Sequence, residues 1–377
     1  MDILYIANAR MPTEKAHGLQ IVKTVEALLE MGEKVVLLLP KRLNPITESI
    51  GGYYSLKRPI EVEYITIPFN FVLKMSDSLY FKLERLYFAL CAFLNAVTKN
   101  VVVYSRDITL CFLLALFGKD VVYEDHEPKN SKKFLYKLFL KKINKKVIVA
   151  KNLSELYKEF GINESTFKFI PNGVDLAEFE RTRRDKSIWW EELDVDQSEK
   201  IVLYVGHFYT WKGVYTLIDA AQSLQNAKAV LIGGTEQDHQ KVGDYIKERD
   251  IKNVYLHKFV PHKEIVKFIK SADVLVLPNT GQEERSLKYT TPIKLFEYMA
   301  SGVPIAASRV ESFKNYLENN VNAVMFEPDN AEDLANKINS LLNSSDLMEK
   351  MAVNAYQEVQ DYSWERRAEK IIDFIKK

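Results

Sequence analysis

Residues 290–307 read TTPIKLFEYMASGVPIAA. Thr291 is a good N-cap, and Pro292 loses nothing as the first helical residue, because the amide there has no intrahelical partner. A helix is expected from Pro292 to the stop at Gly302, followed by a buried apolar strand over 303–307. That is the helix-to-strand pattern of an α/β domain. The unpaired amides at the helix start attract an anion, and Lys294 adds a positive charge one turn in. Glu297, further along, has the chemistry to accept the two hydroxyls of a ribose while the helix start holds a diphosphate. The same residues also describe an ordinary capped helix, with Lys294 a solvated surface residue.

A second stretch favours the nucleotide. Residues 201–221, IVLYVGHFYTWKGVYTLIDAA, give a short apolar strand, a glycine, a turn, and then Lys212 and Gly213 opening an amphipathic helix. A lysine where strand gives way to helix is again a phosphate site. Two such sites in one α/β unit can meet at the carboxyl ends of a parallel sheet, where ligands of this architecture bind.

Strand-like runs alternate with helical patterns along the whole chain. Residues 3–7, 34–39, 61–67, 101–104, 121–123, 147–150 and 167–170 are expected as strands of a first domain. Residues 201–205, 229–232, 254–256, 274–277, 305–307 and 324–326 are expected as strands of a second. Such alternation implies parallel sheets with crossover helices. The polar segment 176–200 carries no strand pattern and is expected as a hinge between domains 1–175 and 201–358.

Taken in order, IPNGVD (170–175), VGHFYTWKG (205–213), ADVLVLP (272–278), TPIKLFEYMASGVPIAAS (291–308) and SWE (363–365) make the chain resemble the retaining GT-B glycosyltransferases of family 4. The resemblance covers essentially the whole length. It implies an α/β fold of two Rossmann-like domains facing each other across a cleft, with a C-terminal helix (359–377) crossing back to the first. Ala368, Ile371, Ile372 and Ile375 would form the buried face of that helix. It also implies a nucleotide-sugar donor on the second domain and an acceptor mainly on the first. Carried over motif by motif, Lys212 neutralises the donor diphosphate and Thr291 with the helix amides holds its far oxygens. Lys294 adds charge, and Glu297 binds the ribose. In the first domain Gly18, expected in the loop before a helix starting near Leu19, lets the backbone approach the donor phosphate or the acceptor. His126, in YEDHEP (123–128), contacts the donor sugar near the reacting carbon. Its alternative is a loop histidine bonded to Glu124 or Glu127. Catalysis falls to His126 and Lys212. No metal or other cofactor is called for where cations and helix ends supply the field at the leaving group.

Two positions depart from the family pattern. His207 replaces the usual arginine of the first phosphate motif, which leaves the diphosphate leaning harder on Lys212. Tyr289 stands where the first of a spaced pair of glutamates contacts the donor sugar. Glu283, Glu284 and Arg285, just upstream, read best as a solvated charged loop.

Composition excludes several classes. The chain has 377 residues, 47% hydrophobic and 27% charged, with a net charge of +1, so bulk attraction to nucleic acid is not expected. Cys91 and Cys111 sit in apolar runs and read as buried thiols of a reducing compartment. The start leads straight into a strand without a signal-peptide pattern. The longest apolar run, 86–97, falls short of the roughly 20 residues that span a bilayer. A cytoplasmic location is expected. Residues 129–158 hold ten lysines and one acidic residue, Glu155. On a helix over 132–146, Leu135, Tyr136, Phe139, Leu140 and Ile143 make a packing arc. Lys133, Lys137, Lys141 and Lys145 make the opposite stripe, with Phe134 and Leu138 among them. Apolar side chains interleaved with lysines suit an anionic bilayer surface, so peripheral attachment to the inner membrane face is expected. The apolar helix over 79–97 either packs in the core or dips into lipid.

The resulting expectation is a retaining glycosyltransferase moving a sugar from a nucleotide diphosphate to a glycan or lipid-linked acceptor. A GT-B sugar-nucleotide epimerase and a non-catalytic sugar-nucleotide-binding subunit are the alternatives.

Overall fold

The computed structural model describes residues 1–68, 77–129, 133–193, 196 and 198–377. They fall into two compact units, Met1–Asn172 with Trp364–Lys377, and Gly173–Ser363. The first unit opens with β1 (Asp2–Ile6), α1 (Ala16–Glu30), β2 (Lys34–Lys41), α2 (Ile50–Tyr53) and β3 (Glu61–Thr66). It continues through α3 (Asp77–Val97), β4 (Val102–Ser105), α4 (Ile108–Leu116), β5 (Val121–Asp125) and α5 (Lys133–Lys142). It then adds β6 (Lys145–Ile148), α6 (Leu153–Glu159) and β7 (Phe167–Phe169).

The second unit begins with α7 (Leu176–Arg181), α8 (Ser187–Leu193), β8 (Lys200–Val205), α9 (Val214–Ala221), β9 (Ala227–Ile232) and α10 (Glu236–Glu248). Next come β10 (Val254–His257), α11 (His262–Ser271), β11 (Val274–Leu277), α12 (Ile293–Ala300), β12 (Ile305–Ser308) and β13 (Val324–Phe326). After α13 (Ala331–Leu342) and α14 (Ser345–Val359), the chain ends in α15 (Trp364–Lys376), which belongs to the first unit.

Both sheets are parallel, in the orders β3-β2-β1-β4-β5-β6-β7 and β10-β9-β8-β11-β12-β13. Central strands such as VVYED in β5 and VLVL in β11 are buried along their whole length, which is why they read as unbroken apolar runs rather than alternating ones. Each sheet reverses its strand order once, between β1 and β4 and between β8 and β11. The crevice at such a reversal is where α/β sheets take ligands.

The segment 176–200, expected as a hinge, carries α7 and α8, with residues 194, 195 and 197 outside the described ones. It is fastened to the second unit. The buried Trp189 donates its indole N–H to the Ser271 carbonyl at 2.9 Å, and Asp273 accepts from Arg184 and Lys186. In the first unit α15 packs against α1, with Ala368, Ile371, Ile372 and Ile375 buried.

The lysine-rich helix differs from the expected span of 132–146. Lys132 lies outside the described residues, and α5 ends at Lys142. Lys146 is the physical reason for the stop. Its buried ammonium donates to the carbonyls of Leu140 at 3.0 Å and Ile143 at 2.6 Å, satisfying the helix end. Lys145 therefore begins β6 and donates to the Ile375 carbonyl of α15, leaving the lysine stripe. Tyr136, Leu140 and Ile143 are buried as the arc requires, whereas Leu135 is 42% exposed.

Candidate functional site

In the second unit, the connections after β8 and β11 meet at the strand-order reversal. The chain leaves β8 at Gly206 and makes a 3₁₀ turn, Thr210–Lys212, before α9. Gly213 closes that turn at φ +70°, and a Cβ there would lie 1.7 Å from the Pro278 carbonyl oxygen. Only glycine lets the two connections come this close. The Trp211 carbonyl accepts from the Thr280 amide at 3.3 Å and the Ser286 hydroxyl at 3.1 Å, tying them together.

Lys294 and Glu297 stand on α12. The helix starts at Ile293, with Pro292 as its cap residue at ψ 145°. Thr291 is thus one residue outside the expected N-cap position. The pyrrolidine ring fixes φ but leaves ψ extended, so Pro292 itself takes the half-in position. Lys294 is buried, which rules out the solvated-surface reading. Its ammonium donates to the Val205 carbonyl at 3.2 Å and lies 3.8 Å from the centre of the Tyr204 ring. Burial, then the charge of Lys212, push its pKa well below the ordinary lysine value. Glu297 is buried and accepts from His262 Nε2, the first residue of α11, at 2.7 Å. Nothing in the spacing of the chain connects His262 with Glu297. The histidine holds one oxygen of this carboxylate and so fixes the orientation of the other.

Lys212 lies 3.9 Å over the Trp211 ring, and Arg285 lies 4.8 Å over the same ring. Burial first, and Arg285 second, lower the Lys212 pKa to about 7. Arg285 is exposed, as expected of a solvated charged loop, and its guanidinium also lies over the Trp211 ring. His207 stacks on Tyr209 (5.0 Å), and Tyr209 stacks on Trp211 (6.2 Å). Tyr289 ends a π-turn, Arg285–Tyr289, that leads into α12. Lys212, Lys294 and Arg285 thus bring three basic side chains to one end of the sheet beside a helix start. A separate groove of about 300 Å³, lined by Tyr209, Trp211 and Tyr215 with Asp238 and Lys241, contains none of these three side chains nor Glu297.

In the first unit, His126 follows β5 and its Nε2 donates to Glu124 Oε1 at 2.6 Å, which is the neighbouring-carboxylate arrangement. Burial, then Arg106, lower its pKa to about 4, so the ring is neutral at pH 7. Glu124 is fully buried and also accepts from Gln20, Tyr104 and Arg367 of α15. Gly18 sits in the first turn of α1, which starts at Ala16, three residues earlier than expected. A Cβ on Gly18 would fall 2.2 Å from the Tyr54 hydroxyl, and that hydroxyl is fixed by the Thr13 backbone. Packing of Tyr54 accounts for this glycine. Cys111 is buried and Cys91 half-buried, both as free thiols.

On α5, Phe134 is 79% and Leu138 47% exposed beside Lys133 and Lys141, while Lys133 and Lys137 hold their ammoniums over the Phe160 ring at 5.6 and 5.7 Å. The apolar surface continues onto α4 and α3. Phe112 stacks on Phe139 at 4.2 Å and Phe93 meets Phe117 at 5.1 Å, and these contacts join the three helices. Leu116 and Phe117 are exposed, and so are Leu86, Leu90 and Leu94 at helical spacing. The inward face of α3 buries Phe88, Ala92 and Ala96, so this helix packs in the core and also presents leucines outward. Among the described residues no helix is long and apolar enough to cross a membrane, and no group of His, Cys, Asp and Glu is placed to hold a metal ion.

Residues 185–358 match the family described as Glycosyl transferases group 1. The chain is 28% identical over 247 residues to an uncharacterized glycosyltransferase of Methanocaldococcus jannaschii, covering 61% of this chain and 59% of the relative. It is 26% identical over 233 residues to the N,N'-diacetylbacillosaminyl-diphospho-undecaprenol alpha-1,3-N-acetylgalactosaminyltransferase of Campylobacter jejuni, covering 60% and 59%. The chain thus spans 59% of the length of each of these relatives. Among solved structures, HepE of Anabaena in complex with UDP and glucose is similar at a TM-score of 0.80 and 15% identity, covering 100% of this chain and 99% of that one. The fold is that of the GT-B glycosyltransferases, two Rossmann-like domains each built on a parallel sheet.

Proposed function

We propose that the protein is a retaining glycosyltransferase of family 4 that takes a sugar from a nucleoside diphosphate and passes it to a glycan or lipid-linked acceptor. The observation that carries this reading is the cluster of Lys212, Lys294 and the start of α12 with Glu297, gathered at the strand-order reversal of the second unit. The donor diphosphate lies against Lys212, Lys294 and the α12 amides near Thr291, and the ribose hydroxyls donate to Glu297. His207 follows β8 and Tyr289 belongs to the connection between β11 and α12, and both stand on the donor side of the second unit. When the anomeric bond breaks, the electron pair goes to the diphosphate, and fixed cations stabilise that charge as it develops. His126, neutral and held through Nε2 by Glu124, offers Nδ1 as an acceptor for a sugar hydroxyl.

The test is a panel of UDP-, GDP- and ADP-sugars assayed for acceptor-dependent release of nucleotide, with and without excess EDTA. Activity that persists in EDTA is expected, because lysines and helix amides neutralise the diphosphate. Complete loss restored by Mg²⁺ or Mn²⁺ would overturn that assignment. A product joined to the acceptor separates a transferase from an epimerase or a binding subunit.

The lowered pKa of Lys212 gives a pH signature. Above about pH 7 the ammonium of the ligand-free protein is largely neutral, and a bound diphosphate pulls the proton back. Binding of UDP at pH 8.5 is therefore expected to take up protons, and affinity is expected to fall as pH rises above 7. Calorimetry in buffers of different ionisation enthalpy measures the uptake, and an enthalpy independent of buffer contradicts it.

The acceptor is proposed to lie at a membrane surface, with the protein peripheral on the cytoplasmic face. The exposed apolar side chains of α3, α4 and α5, bordered by Lys133, Lys137 and Lys141, support this reading, as does the diphospho-undecaprenol substrate in the name of the Campylobacter relative. Vesicles containing anionic lipid should bind the protein, less tightly at high salt. Replacing the three lysines by Ser should weaken binding by about 100-fold, at about 1 kcal/mol for each basic residue. Phe134→Ser with Leu138→Ser should weaken it with little change in salt dependence. A protein that ignores such vesicles at low salt would point to a soluble acceptor.

A further inference from the structure

His262 and Glu297 lie 35 residues apart in the chain and meet through the packing of α11 beside α12. Pro261 caps α11 at ψ 146°, and its carbonyl accepts from the Glu264 and Ile265 amides at 2.9 and 3.1 Å. The helix is then locked by its apolar face. Ile265, Val266, Phe268 and Ile269 are buried, and Phe268 meets the Trp189 ring edge-on at 5.4 Å. His262, the first residue of that helix, is therefore presented from a fixed backbone. Its Nε2 donates to Glu297 Oε1 at 2.7 Å, with the two side chains 20% and 9% exposed.

A carboxylate buried this far needs hydrogen bonds in place of its lost water, and it can accept about four. Among the described residues Glu297 accepts from His262 alone. Lys294, one turn earlier on α12, donates to the Val205 carbonyl instead. Oε2 is thus left to a ligand, while Oε1 is held. The terminal torsion of a glutamate is broad, so an unheld carboxylate would turn freely about its last bond. The imidazole removes that freedom.

We propose that His262 is a positioning residue for the nucleotide: by holding Oε1 it fixes the plane of the Glu297 carboxylate, so that the site selects a ribose with two adjacent hydroxyls over its deoxy counterparts. The inference rests on the reading of Glu297 as the ribose ligand. Two neighbouring hydroxyls on one sugar ring present their O–H donors side by side, which suits a carboxylate of fixed plane. Once His262 is gone the negative charge remains but its direction is lost. Discrimination between ribose and deoxyribose then suffers more than attachment of the diphosphate, which lies against Lys212, Lys294 and the α12 amides.

The experiment measures affinity of the full chain for whichever of UDP, GDP and ADP binds tightest, and for its 2′-deoxy and 3′-deoxy counterparts. The wild type is expected to prefer the ribose form by about 10- to 100-fold, the range for a hydrogen bond to a charged acceptor. His262→Leu, which fills the place without a donor, should cut that preference by about 10-fold. His262→Gln should restore most of it, because its amide N–H can stand where the Nε2–H does. His262→Asn, one methylene shorter, should behave like His262→Leu, which keeps the test open if the leucine variant does not fold. Glu297→Ala is the control for the underlying reading. If no nucleoside diphosphate binds, or if Glu297→Ala keeps the wild-type preference, the donor site itself is misassigned and this inference falls with it. If Glu297→Ala abolishes the preference while His262→Leu and His262→Asn keep it, the donor reading stands and His262 has no positioning role. An equal loss for ribose and deoxyribose ligands in the His262 variants also overturns the proposal, and the pair is then a structural tie between α11 and α12.

Discussion

Lys212→Ala is expected to lower the turnover of sugar transfer by about 10²- to 10³-fold, the loss typical when one fixed group opposing developing charge is removed. The fold should survive. A lysine whose pKa falls to about 7 through burial is a cost to the folded state when charged, so its removal relieves strain in the charge balance. Glu297→Ala should act chiefly on donor affinity, weakening it about 10- to 100-fold, the worth of hydrogen bonds to a charged acceptor. His262 then loses its carboxylate, but its ring is partly exposed and water replaces the partner. Steady-state kinetics over a donor series, beside far-ultraviolet circular dichroism, separates the two effects. A folded Lys212→Ala protein with near-native turnover would remove this residue from the leaving-group role.

Arg367→Met should destabilise the first unit by about 3–5 kcal/mol, the cost of leaving a buried partner charge uncompensated. The Arg367 guanidinium donates to Glu124 and to the carbonyls of Ile170 at 2.7 Å and Pro171 at 2.6 Å, fastening α15 beside β5 and the end of β7. Its loss leaves Glu124 with hydrogen bonds from Gln20, Tyr104 and His126 but without its strongest opposite charge. In a unit of this size the drop in Tm is on the order of 10 °C. Adding Glu124→Gln should restore part of it, because the buried charge is then gone. Differential scanning calorimetry of the two variants checks both statements. An unchanged Tm for Arg367→Met would mean that the pair is solvated and that α15 is held by its apolar face alone.

How much of this could be read from the chain depends on distance along it. The strands of both sheets were legible because central parallel strands are unbroken apolar runs between helical patterns. Lys212, Lys294 and Glu297 were legible because each sits in a contiguous motif at a strand-to-helix junction. The groups that complete the cluster were not. His262 reaches Glu297 from α11, and Arg285 reaches Trp211 from the loop after β11. In the first unit, apart from that cluster, Arg367 reaches Glu124 from α15, far along the chain. Tertiary contacts of this kind leave no period in the sequence. Gly18 was legible as a glycine that matters, but the reason, the Tyr54 hydroxyl occupying the place of a Cβ, comes from a residue in α2's wake. The end of α5 was misplaced because Lys146 reads as one more surface lysine until its ammonium is seen on the last carbonyls of that helix.

A crystal structure of the protein with UDP tests the central assignment most directly. The account predicts the diphosphate within hydrogen-bonding distance of the Lys212 ammonium and the α12 amides, and the ribose hydroxyls on the Glu297 carboxylate. UDP bound instead in the groove between Tyr209 and Lys241, or a diphosphate out of reach of both Lys212 and Lys294, would contradict it.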